Sequence, residues 1–178
     1  MTAEAERTRR LFFALWLDRH ARQELLRSSR RAVRQCGGRP VAPRNYHITL
    51  AFLGSVAADR FQAICAAARA VSVPNFRLTL SRFGYWPRPR VFWMGTSSCP
   101  PLLRSLHHGL WSQLESLDFT REPRAFAPHV TLCRKVRAAP ALPAATQVSW
   151  MVNEFVLVES VTAAKGPVYE IVARFPGD

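Results

Sequence analysis

Short, densely apolar runs alternate along the chain with longer stretches in which apolar residues recur every three or four positions, and this pattern predicts the elements. Leu11-Phe12-Phe13-Ala14-Leu15-Trp16-Leu17 is an unbroken apolar and aromatic run, the composition of a buried central strand. From Arg19 to about Gln35, Leu25, Leu26, Ala32 and Val33 lie among arginines and glutamines as on a surface helix, stopped by Gly37-Gly38 and Pro40. A second strand runs from Tyr46 to Leu53, ended by Gly54, and Ala57 to Val71 carries Phe61, Ile64 and Cys65 at helical spacing before Pro74.

Phe76-Arg77-Leu78-Thr79-Leu80 alternates in the strand period, as does the region around Val91-Phe92-Trp93-Met94, and with Pro87 and Pro89 as the turn the two read as a hairpin. Pro100-Pro101 opens a third helix, whose buried face is drawn from Leu102, Leu103, Leu106, Leu110, Leu114 and Leu117. A strand over His129 to Lys135, an Ala/Pro-rich loop from Ala138 to Ala145, and strands over Trp150 to Ser160 and Val168 to Phe175 complete the order. Strands outnumber helices and several are joined by short turns, so the expected fold is α+β with mostly antiparallel sheet.

At 178 residues and 48% hydrophobic, the chain is long enough to bury a sizeable core as one domain spanning 1–178, and its 11% aromatic content excludes a disordered basic tail. The net charge of +13 favours a polyanionic partner, nucleic acid above all. Its arginines are dispersed, so the charge belongs to the folded surface. Cys36, Cys65, Cys99 and Cys133 form no CxxC or CxxH pair, which excludes a zinc-finger or thioredoxin-type motif, and they are read as reduced. The apolar run behind Arg7, Arg9 and Arg10 imitates a secretory leader, but it lacks a small-residue cleavage site and is too short to span a bilayer. A cytoplasmic location without membrane contact is the resulting expectation.

One tetrapeptide pattern occurs twice, as His47-Ile48-Thr49-Leu50 and His129-Val130-Thr131-Leu132. In a strand, His47 and Thr49 share one face while Ile48 and Leu50 share the other, and the second copy repeats this. A lone His-x-Thr would be an ordinary polar pair at a sheet edge. Two copies in the same apolar register, facing each other across a pseudo-twofold arrangement, would instead make a cleft with two imidazoles and two hydroxyls. That set suits phosphoryl transfer without metal: a neutral imidazole takes a proton from the attacking oxygen, an imidazolium gives one to the leaving oxygen, and the hydroxyls bind the phosphate oxygens. Metal ligation fits poorly, since neither histidine has a carboxylate companion at ligand spacing.

Around these motifs the reading is more diffuse. Phe13 and Tyr46, or Trp86 and Trp93 of the hairpin, are candidates to stack on a terminal base, and Arg44, Arg88 and Arg90 to track an RNA backbone. Strand alternation puts Cys133 on the cleft side, without a chemical role. His20, His107 and His108 read as surface or helix polar residues.

The sequence resembles the two-histidine (2H) phosphoesterases, and within them the bacterial RNA 2′,3′-cyclic phosphodiesterases also called 2′-5′ RNA ligases (ThpR/LigT type). The resemblance covers nearly the whole chain: Arg10-Leu11-Phe12-Phe13-Ala14, Gly38-Arg39-Pro40-Val41-Ala42, Asn45-Tyr46-His47-Ile48-Thr49-Leu50-Ala51-Phe52-Leu53-Gly54, Pro128-His129-Val130-Thr131-Leu132-Cys133-Arg134, the Phe155-Val156-Leu157 strand and Tyr169. It implies a bilobal α+β fold, two mostly antiparallel sheets with pseudo-twofold symmetry flanked by helices around a central basic cleft. It also implies His47 as proton donor and His129 as proton acceptor in the hydrolysis of RNA 2′,3′-cyclic phosphate ends to 2′-phosphomonoesters, with Thr49, Thr131 and Arg134 on the phosphate and no cofactor. Arg134 stands at an odd offset from His129, so an uninterrupted strand would aim it away from the cleft, and a strand end or bulge is required. The implied partner is RNA with 2′,3′-cyclic phosphate ends, tRNA halves or small nucleotides among the candidates, acted on by a monomer without an obligate protein partner. The same site run in reverse would join such an end to a 5′ hydroxyl as a 2′-5′ linkage. A non-catalytic RNA- or nucleotide-binding module, and a phosphodiesterase of small cyclic nucleotides, remain the competing readings.

Overall fold

A computed structural model describes residues 8–144, 146–163 and 166–177. It is α+β, with ten strands and three α-helices among the described residues: β1 (Thr8–Trp16), α1 (Arg19–Gln35), β2 (Arg39–Pro40), β3 (His47–Ala57), α2 (Phe61–Arg69), β4 (Phe76–Leu80), β5 (Arg82–Trp86), β6 (Val91–Gly95), α3 (Pro101–Glu115), β7 (His129–Arg134), β8 (Val148–Val152), β9 (Glu154–Ala163) and β10 (Gly166–Pro176). The larger of two antiparallel sheets has the order β10-β9-β1-β3-β7-β6-β5, with β2 paired to β7; β4 and β8 form the smaller sheet.

The apolar runs become strands buried on both faces. Along β1, Leu11, Phe13, Leu15 and the following Leu17 enter the main core, whereas Phe12 and Ala14 enter a second cluster with Val156 and Val158 of β9 on the opposite face. α1 starts as its sequence dictates: the Ala21 N–H donates to Asp18 Oδ1 at 2.8 Å, and Ala21, Leu25, Ser29 and Ala32 form its buried stripe. α3 buries Leu103, Leu106, Leu110 and Leu114 as expected, together with His107 and Trp111, but Leu102 of its first turn is 46% exposed and Leu117 lies past the helix end, only half-buried.

Four boundaries differ from the sequence expectation. β3 does not end at Gly54; that glycine adopts φ +72 beside a register shift, so a bulge bends the strand and pairing with β1 continues to Ala57. α2 accordingly starts later, at Phe61. β4 is not half of a hairpin: its partner is β8, and β6 pairs instead with β5 across the four-residue turn Pro87–Arg90. The excess chain between Leu80 and Val91 disfavours a hairpin between those runs. The expected strand Trp150–Ser160 is cut at Asn153, whose carbonyl accepts the Gly177 N–H at 2.7 Å, into β8 and β9 of different sheets. Ala145, at the end of the expected loop, lies outside the described residues. Among the described residues no helix is long and apolar enough to cross a membrane.

Candidate active site

The two His-x-Thr strands meet in the middle of the large sheet. β3 and β7 are antiparallel, paired at Ile48 and Val130, which sets His47 across from Thr131 and Thr49 across from His129. Ile48 and Val130 are fully buried on one face, and the four polar residues share the other, half-buried. The histidines therefore lie on a diagonal, for which a separation of about 7–8 Å, somewhat less between Cβ atoms, is usual.

Each histidine is oriented in the same way. His47 Nδ1 lies 2.7 Å from the Asn45 carbonyl and His129 Nδ1 lies 2.7 Å from the Ala127 carbonyl, two residues back in each case. A carbonyl only accepts, so both rings carry the proton on Nδ1 and keep Nε2 for the cleft. The Thr49 and Thr131 hydroxyls have no protein partner among the described residues.

The surroundings of the rings differ. His47 is packed by aromatic side chains: Trp16, its cross-strand neighbour, stacks on it at 5.1 Å and 7°, Phe12 lies at 5.0 Å, and Tyr169 meets it edge-on at 5.5 Å. Trp16 is fixed in turn by donating its Nε1–H to the Arg44 carbonyl at 3.2 Å. His129 meets Trp86 edge-on at 4.5 Å and Trp93 at 6.2 Å. Burial lowers the pKa of His47 to about 4, with the charges of Arg134 and His129 acting in the same direction against the Asn45 hydrogen bond. His129 is lowered for the same reasons, burial first, then Arg134. In the free protein at neutral pH both rings are thus neutral.

Arg134 reaches the cleft because β7 contains the bulge that parity requires. Between Phe92↔Cys133 and Trp93↔Thr131 the register skips Leu132, so Leu132 and Cys133 are both buried and Arg134 turns back to the side of His129 and Thr131. The expectation that Cys133 faces the cleft is thereby corrected: its thiol lies in the core beside Cys36, against Gly38. Room for this is made by Gly38, where a Cβ would come within 2.5 Å of the Arg134 carbonyl and 2.9 Å of Cys133 Sγ.

Two cavities flank the phosphate position. One, of about 490 Å³ on the His47 side, is lined by Arg10, Phe12, Thr49, Phe52, Arg134 and Tyr169 among others. The second, of about 460 Å³, opens on the His129 side and reaches α3. Thr49 and Phe52 line both.

Two of the proposed stacking residues are corrected. Phe13 is 0% exposed, held between Phe155 and Phe175, and Tyr46 is 2% exposed beneath α1, so neither ring is available to a base. In a run that is apolar at every position, parity cannot be read from composition; it is Phe12 and Trp16, with the half-exposed Tyr169, that face the site. Trp86 lies on the cavity wall, whereas Trp93 is buried flat over Gly84, where a Cβ would come within 2.2 Å of its ring. Arg88 lines the second cavity; Arg44 and Arg90 line neither. His107 is not a surface residue: it is buried on α3, and among the described residues no three His, Cys, Asp or Glu side chains gather as a ligand set. Its hydrogen bond to Arg121 at 2.8 Å had no sequence signal, since the partners come from separate elements.

Comparison with known proteins agrees with this geometry. The LigT like Phosphoesterase family model matches residues 16–93. The RNA 2′,3′-cyclic phosphodiesterase of Escherichia coli is 37% identical over 93% of this chain and 95% of its own length, and that of Thermus thermophilus is 33% identical over 93% and 89%. Among solved structures, E. coli LigT complexed with 3′-AMP shares 34% identity over 96% of this chain and 99% of its own, with a TM-score of 0.87. Likeness of sequence and of fold over almost the entire length makes the chain a member of the LigT-like phosphoesterase family.

Proposed function

We propose that this protein hydrolyses RNA 2′,3′-cyclic phosphate ends to 2′-phosphomonoesters. The observation that carries the reading is the diagonal placement of two imidazoles on one face of β3 and β7, each held through Nδ1 so that Nε2 is left for the cleft. It is supported by the activity in the names of the relatives and by a nucleotide in the structure of one of them.

His129 takes the proton of the attacking water while His47 gives one to the departing ribose 3′ oxygen; each transfer contributes on the order of 10²–10⁴-fold. The direction fits the cavities, because a nucleoside held against the half-exposed Tyr169 has its ribose on the His47 side. One ring must gain a proton when substrate binds. The protein alone resists this, since burial and Arg134 depress both pKa values, and the negative charge of the phosphodiester reverses the balance. Thr49, Thr131 and Arg134 hold the non-bridging oxygens, where charge concentrates in the transition state.

The partners in this reading are RNA ends, tRNA halves and small nucleotides included, met by a cytoplasmic monomer that needs neither cofactor nor metal. The test is an oligoribonucleotide ending in a 2′,3′-cyclic phosphate, incubated in excess chelator with 2′- and 3′-phosphate products resolved. The expected outcome is the 2′-phosphate alone, lost with His47→Ala and with His129→Ala. Binding without turnover by the intact protein would replace the reading by a nucleotide-binding module.

A further inference from the structure

The carbonyls that orient the two imidazoles of the cleft are held in different ways. Asn45, which serves His47, ends the 3₁₀ turn Pro43–Asn45, where the Asn45 N–H donates to the Ala42 carbonyl at 2.8 Å and the Tyr46 N–H to the Pro43 carbonyl at 3.1 Å. Ala127, which serves His129, lies in the segment 119–128, which is neither helix nor strand. Among the described residues, backbone hydrogen bonds reach that segment only at its ends: the Phe119 N–H donates to the Leu114 carbonyl at 3.1 Å, and the Thr96 N–H to the Pro128 carbonyl at 3.3 Å. The backbone between Phe119 and Pro128 therefore offers nothing local that keeps the Ala127 carbonyl aimed at His129.

His107 supplies the missing fastening. Its ring is 5% exposed on α3, a helix anchored by its buried leucines and by Trp111, whose Nε1–H donates to the Leu50 carbonyl of β3 at 3.3 Å. The ring stacks on Phe126 at 3.8 Å and 7°, and its Nδ1 lies 2.8 Å from Arg121 Nη2. A guanidinium only donates, so Nδ1 accepts and the ring carries its proton on Nε2, the tautomer opposite to that of His47 and His129. Burial lowers its pKa to about 4, with Arg121 and His108 acting in the same direction against a hydrogen bond to the Leu50 backbone. At neutral pH the ring thus keeps the lone pair that Arg121 needs. Phe126, the residue it stacks on, immediately precedes Ala127.

We infer that His107 is a positioning residue for the general base: by stacking on Phe126 and accepting from Arg121 it holds the Ala127 carbonyl against His129 Nδ1, and so keeps His129 in the tautomer whose Nε2 is free. The inference rests on the acid and base roles proposed above. His107 takes no proton in the reaction and acts only through His129. Without it the 119–128 segment shifts and the Ala127 carbonyl leaves Nδ1. The neutral His129 ring then divides between two tautomers, and the Nε2–H form has no lone pair for the proton of the attacking water. His47 has no share in this, because its carbonyl is fixed within its own turn.

The test is His107→Leu in the whole protein, read by long-range ¹H–¹⁵N correlation of the histidine rings and by turnover of a cyclic-phosphate oligonucleotide. The His129 ring should pass from the Nδ1–H tautomer to a mixture while His47 stays as it was. In parallel kcat should fall about tenfold to a hundredfold, with KM nearly unchanged. Adding Arg121→Gln to His107→Leu should cost little more, since both act on one segment. His107→Asn, whose Oδ1 takes roughly the place of Nδ1 and accepts from Arg121, should restore part of both readouts. If His107→Leu does not fold, Phe126→Leu, which removes the stack next to Ala127, carries the same expectation. A folded variant with His129 still in the single Nδ1–H form, or with His47 disturbed equally, would overturn the inference. Loss of the His129 tautomer in a variant of a protein that does not hydrolyse the oligonucleotide would overturn the proposed activity and leave the positioning standing.

Discussion

The strands β3 and β7 carry the same device and end it differently. From His47 to Phe52 and from His129 to Arg134 the order of half-buried, buried and exposed positions is identical: histidine and threonine half-buried, Ile48 or Val130 and Leu50 or Leu132 buried, then a second buried residue, Ala51 or Cys133, where the alternation breaks. Both breaks coincide with register shifts against a neighbouring strand, near Phe13/Ala14 of β1 and Phe92/Trp93 of β6. The bulge is thus part of the repeat, and its effect is to return the sixth residue to the cleft. On β7 that residue is Arg134, a cation beside the phosphate position; on β3 it is Phe52, an exposed ring touched by Arg10 at 5.0 Å. A near-symmetric backbone presents a symmetric pair of imidazoles, and the difference between the two ends supplies charge on one strand and an apolar surface on the other.

The largest test of this comparison removes the imidazoles. His47→Ala and His129→Ala should each lower kcat by about 10²–10⁴-fold, measured on a cyclic-phosphate oligonucleotide. If only one substitution has such an effect, the two strands do not share the chemistry.

The next effect separates the ends of the repeat. Arg134→Gln should cost roughly tenfold to a hundredfold in kcat/KM, as expected for losing a charge-assisted hydrogen bond. It should also move the pH profile. Both histidines titrate below their ordinary value in the free protein, so kcat/KM should peak below about pH 6.5 and decline toward alkaline pH as the singly protonated cleft disappears. Arg134 lowers both pKa values, and its loss should shift the profile upward. Phe52→Ala should raise KM and leave the profile in place. A profile unmoved by Arg134→Gln would separate that arginine from the histidines.

Gly38→Ala asks whether the bulge itself places Arg134. The new Cβ collides with the Arg134 carbonyl and Cys133 Sγ, so the end of β7 must shift; a loss of about 1–3 kcal/mol in chemical denaturation is expected, with a pH profile displaced as in Arg134→Gln. Smallest of all, Thr49→Val and Thr131→Val should each weaken turnover by several-fold, on the order of 1 kcal/mol, and by similar amounts if the repeat is functional as well as structural.

Much of this arrangement was legible in the sequence because it is local and periodic. The doubled His-x-Thr pattern placed four side chains on one face of two strands, and the odd offset of Arg134 called for a bulge that the register of β7 contains. The leucine spacing of α3 likewise marked its buried stripe. What escaped was set by parity or by distant partners. The run Leu11–Leu17 is apolar at every position, so its two faces look alike and composition does not tell that Phe12, not Phe13, faces the site. The same bulge that delivers Arg134 sends Cys133 into the core. β4 and β8 pair across nearly seventy residues, beyond the reach of any hairpin signal. His107 is defined by Arg121 and Phe126, contacts that no helical period announces.

The central claim is that β3 and β7 present two neutral imidazoles, both protonated on Nδ1 and open at Nε2. Long-range ¹H–¹⁵N correlation of the histidine rings in the unliganded protein at neutral pH tests it directly. The account predicts the neutral Nδ1–H tautomer for His47 and His129, with His107 as the opposite, Nε2–H form; a cationic ring or an Nε2–H tautomer at either His47 or His129 would contradict it.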